Sequence, residues 1–278
     1  MGNPPAISVI VATYNGKYLQ ETLRSIATQT YSDFEVLVLD DANQVQCQEI
    51  VEGLRDQRFL YVGNKSPLRP ALNHRKGIQL ARGGRISILN HDDFWNPDVL
   101  ERLSAALDRQ PTAVAAFSRA RLVNERGEFD EARTKEAWEG WACSDYPLGL
   151  IPNWFAVSGA RPSIPAGPAA LFRSMPLKSV IISPVVGGMY DAWIGYQIAR
   201  IGPVYHENSA IGFWREHDSN LTQTRSGKRS AERIYFQYKL ASDPLLPVSR
   251  RLHAIRQLPR AFAAWAKDSL LGERTLTR

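Results

Sequence analysis

Apolar residues along this chain fall into short runs separated by amphipathic stretches. The runs at 6–12, 34–39, 59–62 and 86–89 are compact and rich in β-branched residues, which predicts buried strands. After the first run Leu19, Leu23, Ile26 and Ala27 recur at helical spacing, and helices are expected at about 47–55 and 72–81. The stretch 97–109 sets Val99, Leu100, Leu103, Ala106 and Leu107 on one face and predicts a helix opened by Asn96-Pro97. Strand–helix units repeated through the first 110 or so residues predict an α/β, Rossmann-like fold with a mixed, mainly parallel sheet flanked by helices. Further strands are expected at 113–118, at 122–128 leading into a hairpin turn, and at 210–215, and order is expected to resume at 168–173. A helix is expected to start at Asp191 with Ile194, Ile198 and Ile201 inside. From 138 to 168 the periodicity dissolves among Trp, Pro, Gly and Ser, which predicts a long, partly ordered loop.

Two of the predicted strands deliver paired acids at their carboxyl ends, Asp40-Asp41 and Asp92-Asp93. In open α/β sheets ligands bind at that edge. Adjacent carboxylates repel unless something positive lies beside them, and a divalent cation with a phosphate-bearing ligand supplies it. The plainer alternative for the second pair is that Asp92 caps the next helix and Asp93 points to water. Thr13-Tyr14-Asn15-Gly16, the first turn, contains neither a G-x-G-x-x-G fingerprint nor a phosphate loop, which argues against dinucleotide binding and P-loop ATPase chemistry. Asp191 follows Gly187-Gly188 closely and is either a helix cap or a carboxylate facing a cleft. His217, among acids after the last strand, is either structural or a ligand. The aromatics Trp138, Trp141, Tyr146, Trp154 and Phe155 are either core plugs or platforms for the apolar faces of sugar rings.

Composition adds boundaries. With 278 residues, 44% hydrophobic and 22% charged, the chain can bury a large core of one α/β domain or two smaller ones. Its apolar runs are shorter than the roughly 18 residues of a membrane span, and residues 1–5 do not resemble a signal peptide, so a cytoplasmic location is expected. Cys47 and Cys143 are too few and too far apart for a disulfide framework, and are expected to be buried, inert thiols. The net charge of +6 is concentrated after residue 224, where twelve Lys and Arg face four Asp and Glu.

Val9 to Asn15 (Val-Ile-Val-Ala-Thr-Tyr-Asn), Val36 to Asp41 (Val-Leu-Val-Leu-Asp-Asp) and Ile88 to Trp95 (Ile-Leu-Asn-His-Asp-Asp-Phe-Trp) resemble family 2 glycosyltransferases of the GT-A fold. The resemblance continues in order through Ala170-Leu171-Phe172-Arg173, Asp191 and 214–220. It implies a nucleotide-sugar-binding half over 1–110, an acceptor-binding and catalytic half over 111–224, and a basic, mainly helical extension over 225–278. It further implies that Ala12, Tyr14 and Asp41 line the nucleotide pocket, with the Asp41 carboxylate accepting the imide hydrogen bond of uracil or thymine. That would favour a UDP- or dTDP-sugar. Arg69 or Arg75 would meet the base or the phosphates, and Asp92 the ribose or a shared metal. Asp93 would bind Mn²⁺ or Mg²⁺, with His217 near the metal and diphosphate. Asp191 matches the catalytic base of an inverting transfer to a hydroxyl acceptor, a glycan or a lipid-linked one, in cell-surface polysaccharide or glycan synthesis. Trp154, Arg173 and Trp214 are candidates for contact with donor or acceptor sugar. Asn90 and His91 depart from the family pattern, which more commonly has an aspartate at the Asn90 position. A nucleotide-binding module without turnover is the alternative, as is a nucleotidyltransferase, although Thr13–Gly16 lacks the Gly- and Lys/Arg-rich loop the latter would need.

Beyond residue 248, Leu252, Ile255, Leu258, Phe262 and Trp265 fall near helical spacing with Arg250, Arg251, Arg256, Arg260 and Lys267 among them. Such a helix can lie on an anionic membrane, here at its inner face, or pack on its own domain or on a second subunit of a homo-oligomer. Pro259 is expected to kink it. No nucleic-acid module accompanies the charge, so nucleic acid is not expected as a partner.

Overall fold

The structure, a computed structural model, describes residues 3–140, 146–158, 163–218, 220 and 227–275. In chain order its first half comprises β1 (Ile7–Thr13), α1 (Leu19–Ala27), β2 (Phe34–Asp40), α2 (Val45–Gly53), β3 (Phe59–Gly63), α3 (Arg69–Leu80), β4 (Arg85–Asn90), β5 (Phe94–Trp95) and α4 (Val99–Arg109). The second half comprises β6 (Ala115–Phe117), β7 (Arg121–Val123), α5 (Glu131–Gly140), β8 (Gly149–Ile151), α6 (Trp154–Val157), β9 (Ala170–Arg173), α7 (Ser174–Ser179), a 3-10 turn (Pro184–Met189), α8 (Tyr190–Ile201), β10 (Val204–His206), β11 (Gly212–Arg215), α9 (Gly227–Ser242) and α10 (Val248–Thr275).

β1 pairs in parallel with β2 on one side and β4 on the other, so nearly all of it is buried and it reads as an unbroken apolar run. The sheet order is β3-β2-β1-β4-β9-β6-β10-β8. β9 runs antiparallel to β4 and β6, β8 is an antiparallel edge, and the rest is parallel. A small second sheet, β5-β11-β7, folds over the carboxyl end of β4. Alternation along β1 divides the core. Ile7, Val9 and Val11 pack with α1, α2 and α4 through residues such as Leu23, Val51 and Leu103. Ile10, with Leu37 and Leu39 of β2, packs toward α3, α8 and the C-terminal helices through Ile78, Ile194, Phe236, Leu240 and Ala254. This is the mixed, mainly parallel α/β architecture of the GT-A fold.

Several elements differ from the sequence reading. α5 begins where no helix was expected, and the segment after it carries the short β8 and α6 instead of loop alone. α10 runs through Pro259 without interruption. Cys47 is buried, and burial pushes its thiol up to about 11, in keeping with an inert role; Cys143 and Trp141 lie outside the described residues. Among the described residues no helix is long and apolar enough to cross a membrane.

Candidate active site

The first acid pair divides its work. Asp40, fully buried, accepts N–H bonds from Ala42 (3.0 Å) and Gln44 (2.6 Å) and the Tyr61 hydroxyl (2.9 Å), so it fixes the entry to α2. Asp41 turns toward the loop before α3. Its Oδ1 accepts from Leu68 N–H (2.6 Å) and Asn64 Nδ2 (2.8 Å), and its Oδ2 from Arg69 N–H (2.7 Å). The turn that brings both backbone donors to Asp41 holds Arg69 at a left-handed φ of 66°, rare for a non-glycine residue. Asn73 and Lys76 complete the network through Asn64. Oδ2 of Asp41 keeps one acceptor direction free of these partners.

The second pair sits beyond β4 and is tied to the last strand. Asp93 is buried and accepts Arg215 N–H at 3.1 Å and Asn90 Nδ2 at 3.4 Å. Burial and the neighbouring Asp92 charge raise its pKa well above the usual carboxylate range, outweighing those two bonds. The Arg215 side chain, only 1% exposed, donates to Asp92 O and Glu125 O, pairs with Glu21 at 2.6 Å and lies over Tyr18 and Phe94. It therefore clamps the end of β4 to α1 and β11. Asp92, by contrast, presents Oδ2 to His217 Nε2 at 3.0 Å. Asn220 fixes that imidazole, since its Oδ1 accepts His217 N–H and its Nδ2 donates to Arg215 O and lies 3.2 Å from His217 Nε2. The single ring position at Nε2 either donates its N–H to Asp92 Oδ2 or, in the other tautomer, accepts from the Asn220 amide. One carboxylate with one imidazole is a donor set that Mn²⁺ or Mg²⁺ accepts in place of those hydrogen bonds. Asp93, the acid expected to bind the metal, is turned inward and occupied by Arg215 N–H and Asn90 Nδ2, and it is Asp92 that faces His217. No third His, Cys, Asp or Glu joins Asp92 and His217 in a metal-ligating group among the described residues.

Asp191 lies in the first turn of α8, accepts its neighbour's Ala192 N–H, and is exposed. Tyr190 before it is buried, stacks on His74 with ring centroids 3.7 Å apart, and donates its hydroxyl to Asn90 Oδ1 at 2.5 Å. Burial first, then the charges of Asp191, Asp92 and Asp93, raise the Tyr190 pKa, so the three carboxylates share one neighbourhood. Burial likewise pushes His74 down to about 4, keeping it neutral. His91 is also lowered by burial, despite the opposing influence of Asp92. Gly187, at φ 46°, lets the turn before Asp191 pass under Glu232 of α9; a Cβ there would meet Glu232 Oε1 at 1.8 Å.

Other sequence candidates are placed as follows. Ala12 is half-buried at the end of β1, and Tyr14 is 62% exposed in the turn beyond it. The Arg69 and Arg75 side chains are exposed and make no ion pair among the described residues. Trp154 is fully buried edge-on against Phe117 and Tyr146, so it is a core plug and not a sugar platform. Arg173 donates to the carbonyls of Leu107, Gln110 and Ala113 and pairs opposite Arg85 at the start of β4, the far end of that strand from Asp92; its role is structural. Trp214 is half-buried on the face of β11 opposite Arg215. Sequence reasoning missed Arg215 as the clamp and the Tyr190–His74 stack. An arginine inside a short apolar strand was the one available signal, since a buried cation demands partners.

Carboxylates and an imidazole thus gather beyond the carboxyl ends of β2 and β4 in a GT-A fold, and the profile described as "Glycosyl transferase family 2" matches residues 8–161. The chain belongs to glycosyl transferase family 2. Relatives within the family include an uncharacterized glycosyltransferase of Methanocaldococcus jannaschii, 34% identical over 130 residues that cover 45% of this chain and 45% of that protein. Another is the putative colanic acid biosynthesis glycosyl transferase WcaA of Escherichia coli, 32% identical over 121 residues that cover 42% of each. The alignments thus span less than half the length of either relative. Among solved structures, Staphylococcus aureus TarS 1-349 in complex with UDP-GlcNAc superposes with a TM-score of 0.67 at 17% identity, over 92% of this chain and 72% of that one. The mannosyltransferase PcManGT from Pyrobaculum calidifontis, in complex with GDP-Man and Mn²⁺, does so with a TM-score of 0.65 at 19% identity, over 96% and 76%. At these identities the structures establish the shared fold of this family 2 glycosyltransferase.

Proposed function

We propose that this glycosyltransferase moves a sugar from UDP or dTDP to a hydroxyl acceptor with inversion at the anomeric carbon. The observation that carries this reading is the convergence of Asp92 Oδ2 and His217 Nε2 at 3.0 Å in the same neighbourhood as the helix start bearing Asp191. Asp92 and His217 would hold Mn²⁺ or Mg²⁺, which, when bound, offsets the charge developing on the departing diphosphate. Asp191 takes the proton of the acceptor hydroxyl, and no second acid is needed once the leaving group is stabilised in that way. Asp41 offers the remaining acceptor direction of Oδ2 to the imide N–H of the base. Arg69 and Arg75, with no ion pair among the described residues, are available to the phosphates. The UDP-GlcNAc complex of TarS and the Mn²⁺ complex of PcManGT support the donor class and the ion by analogy. The name of WcaA supports an acceptor in cell-surface polysaccharide synthesis.

The test begins with melting temperature against a panel of nucleoside diphosphates with and without Mn²⁺, because a ligand of the folded state raises it by mass action. UDP or dTDP should raise it only with metal, and Asp92→Ala should remove the shift. Asp191→Asn should keep the shift and lower transfer or donor hydrolysis by about a hundredfold or more. A shift that ignores both metal and Asp92, or full turnover in Asp191→Asn, would refute the assignment.

A further inference from the structure

We infer that the outer face of α10 is a docking surface for an anionic lipid membrane. The helix meets the rest of the molecule along one side, where Ala254 is buried at 1% exposure and Arg251 Nε donates to Ala241 O. Away from that side Val248, Leu252, Ile255 and Phe262 are 66%, 47%, 49% and 51% exposed. Val248, Ile255 and Phe262 are spaced seven residues apart, and Leu252 lies beside the line they form, so the stripe is continuous. Exposed apolar residues scattered singly need no explanation, but a continuous stripe along a surface helix does.

Charge decides what covers it. Between residues 248 and 267 there are five Lys and Arg and no Asp or Glu. Arg256, Arg260 and Lys267 are exposed beside the stripe and form no ion pair among the described side chains, which on α10 end at Lys267. A second copy docking through the same face would bring two such cationic patches into one interface, since an isologous contact uses the same patch on both subunits. Lipid phosphates present the opposite sign, and aromatic and aliphatic side chains on one face with Lys and Arg next to them are what an in-plane helix needs at the headgroup boundary. The contact is peripheral: among the described residues no helix can span the bilayer.

The full-length protein can be sedimented with vesicles of phosphatidylcholine and with vesicles of phosphatidylcholine mixed with phosphatidylglycerol. Binding should be at least about tenfold stronger to the anionic vesicles and should weaken as salt is raised. Leu252→Ser with Ile255→Ser and Phe262→Ser should weaken it by about tenfold or more, as should Arg256→Gln with Arg260→Gln and Lys267→Gln. A circular dichroism melt checks the fold of each variant, and if the serine variant is unfolded the glutamine variant decides alone. Equal binding to both vesicle types, or none, would overturn the inference. So would sedimentation equilibrium showing a wild-type dimer that the serine variant turns into a monomer, without vesicle binding by either; the surface would then belong to a second copy. No nucleotide enters the assay, so its outcome is separate from that of the donor-site reading.

Discussion

The acid pairs at the ends of β2 and β4 look alike in sequence and divide their labour in opposite order. In the first, Asp40 is buried under three donors and Asp41 faces the loop before α3. In the second, the leading Asp92 faces His217, and Asp93 is buried against Arg215 and Asn90. The inversion follows from where each strand stops. Asp40 is still within β2, whereas β4 ends at Asn90 and both later acids lie in the turn to β5. In each pair one acid is committed to the core side of its turn, and the other faces a neighbouring segment, the loop before α3 for Asp41 and His217 for Asp92. The proximity of two carboxylates therefore does not mean that both face the same ion.

The largest expected effect would come from breaking the buried member of the first pair. Asp40→Ala removes the side-chain acceptor of the half-buried Ala42 and Gln44 N–H groups and leaves the Tyr61 hydroxyl only its longer 3.4 Å contact with Asn43, and should cost about 3 kcal/mol in urea unfolding. Asp92→Ala should leave stability within about 1 kcal/mol of wild type, yet reduce metal-dependent UDP affinity at least about tenfold by titration calorimetry. An equally large stability loss in both variants would erase the distinction between buried and ligand-facing acids. The smallest effect sharpens the contrast through pH. His74 supports the second site by stacking on Tyr190 and has no counterpart at the first. Its folded pKa of about 4 lies below the unperturbed value of roughly 6.5. Unfolded chains bind the proton first as pH falls, so the stability is present above about pH 6.5 and is lost as pH drops through about 4. Urea midpoints measured across that window should fall less steeply in His74→Gln than in wild type, by up to about one proton of slope near pH 5.

Much of the frame was readable because parallel βα units bury strands on both faces and print them as apolar runs; β1, β2, β3 and β4 lie where their patterns place them. The belonging to a glycosyltransferase family was readable from the ordered motifs. Trp154 and Arg173 were misplaced for a physical reason: an aromatic in a Pro- and Gly-rich stretch carries no mark of whether it faces core or cleft, and an arginine that caps carbonyls looks like one that binds a ligand. Which of Asp92 and Asp93 turns inward depends on Arg215, more than a hundred residues away in sequence, whose N–H reaches Asp93 and whose guanidinium reaches the Asp92 carbonyl. That is a tertiary fact, and local pattern cannot encode it.

The passage of Gly187 beneath Glu232 constrains how the two positions can vary together. A Cβ at 187 would meet the end of the Glu232 side chain, which can swing aside, but it would also sit at a left-handed φ that disfavours every L side chain. A smaller residue at 232 removes only the first obstacle, so the backbone alone keeps glycine at 187. Homologues are then expected to vary at 232 without a matching change at 187, and the glycine to persist whatever faces it.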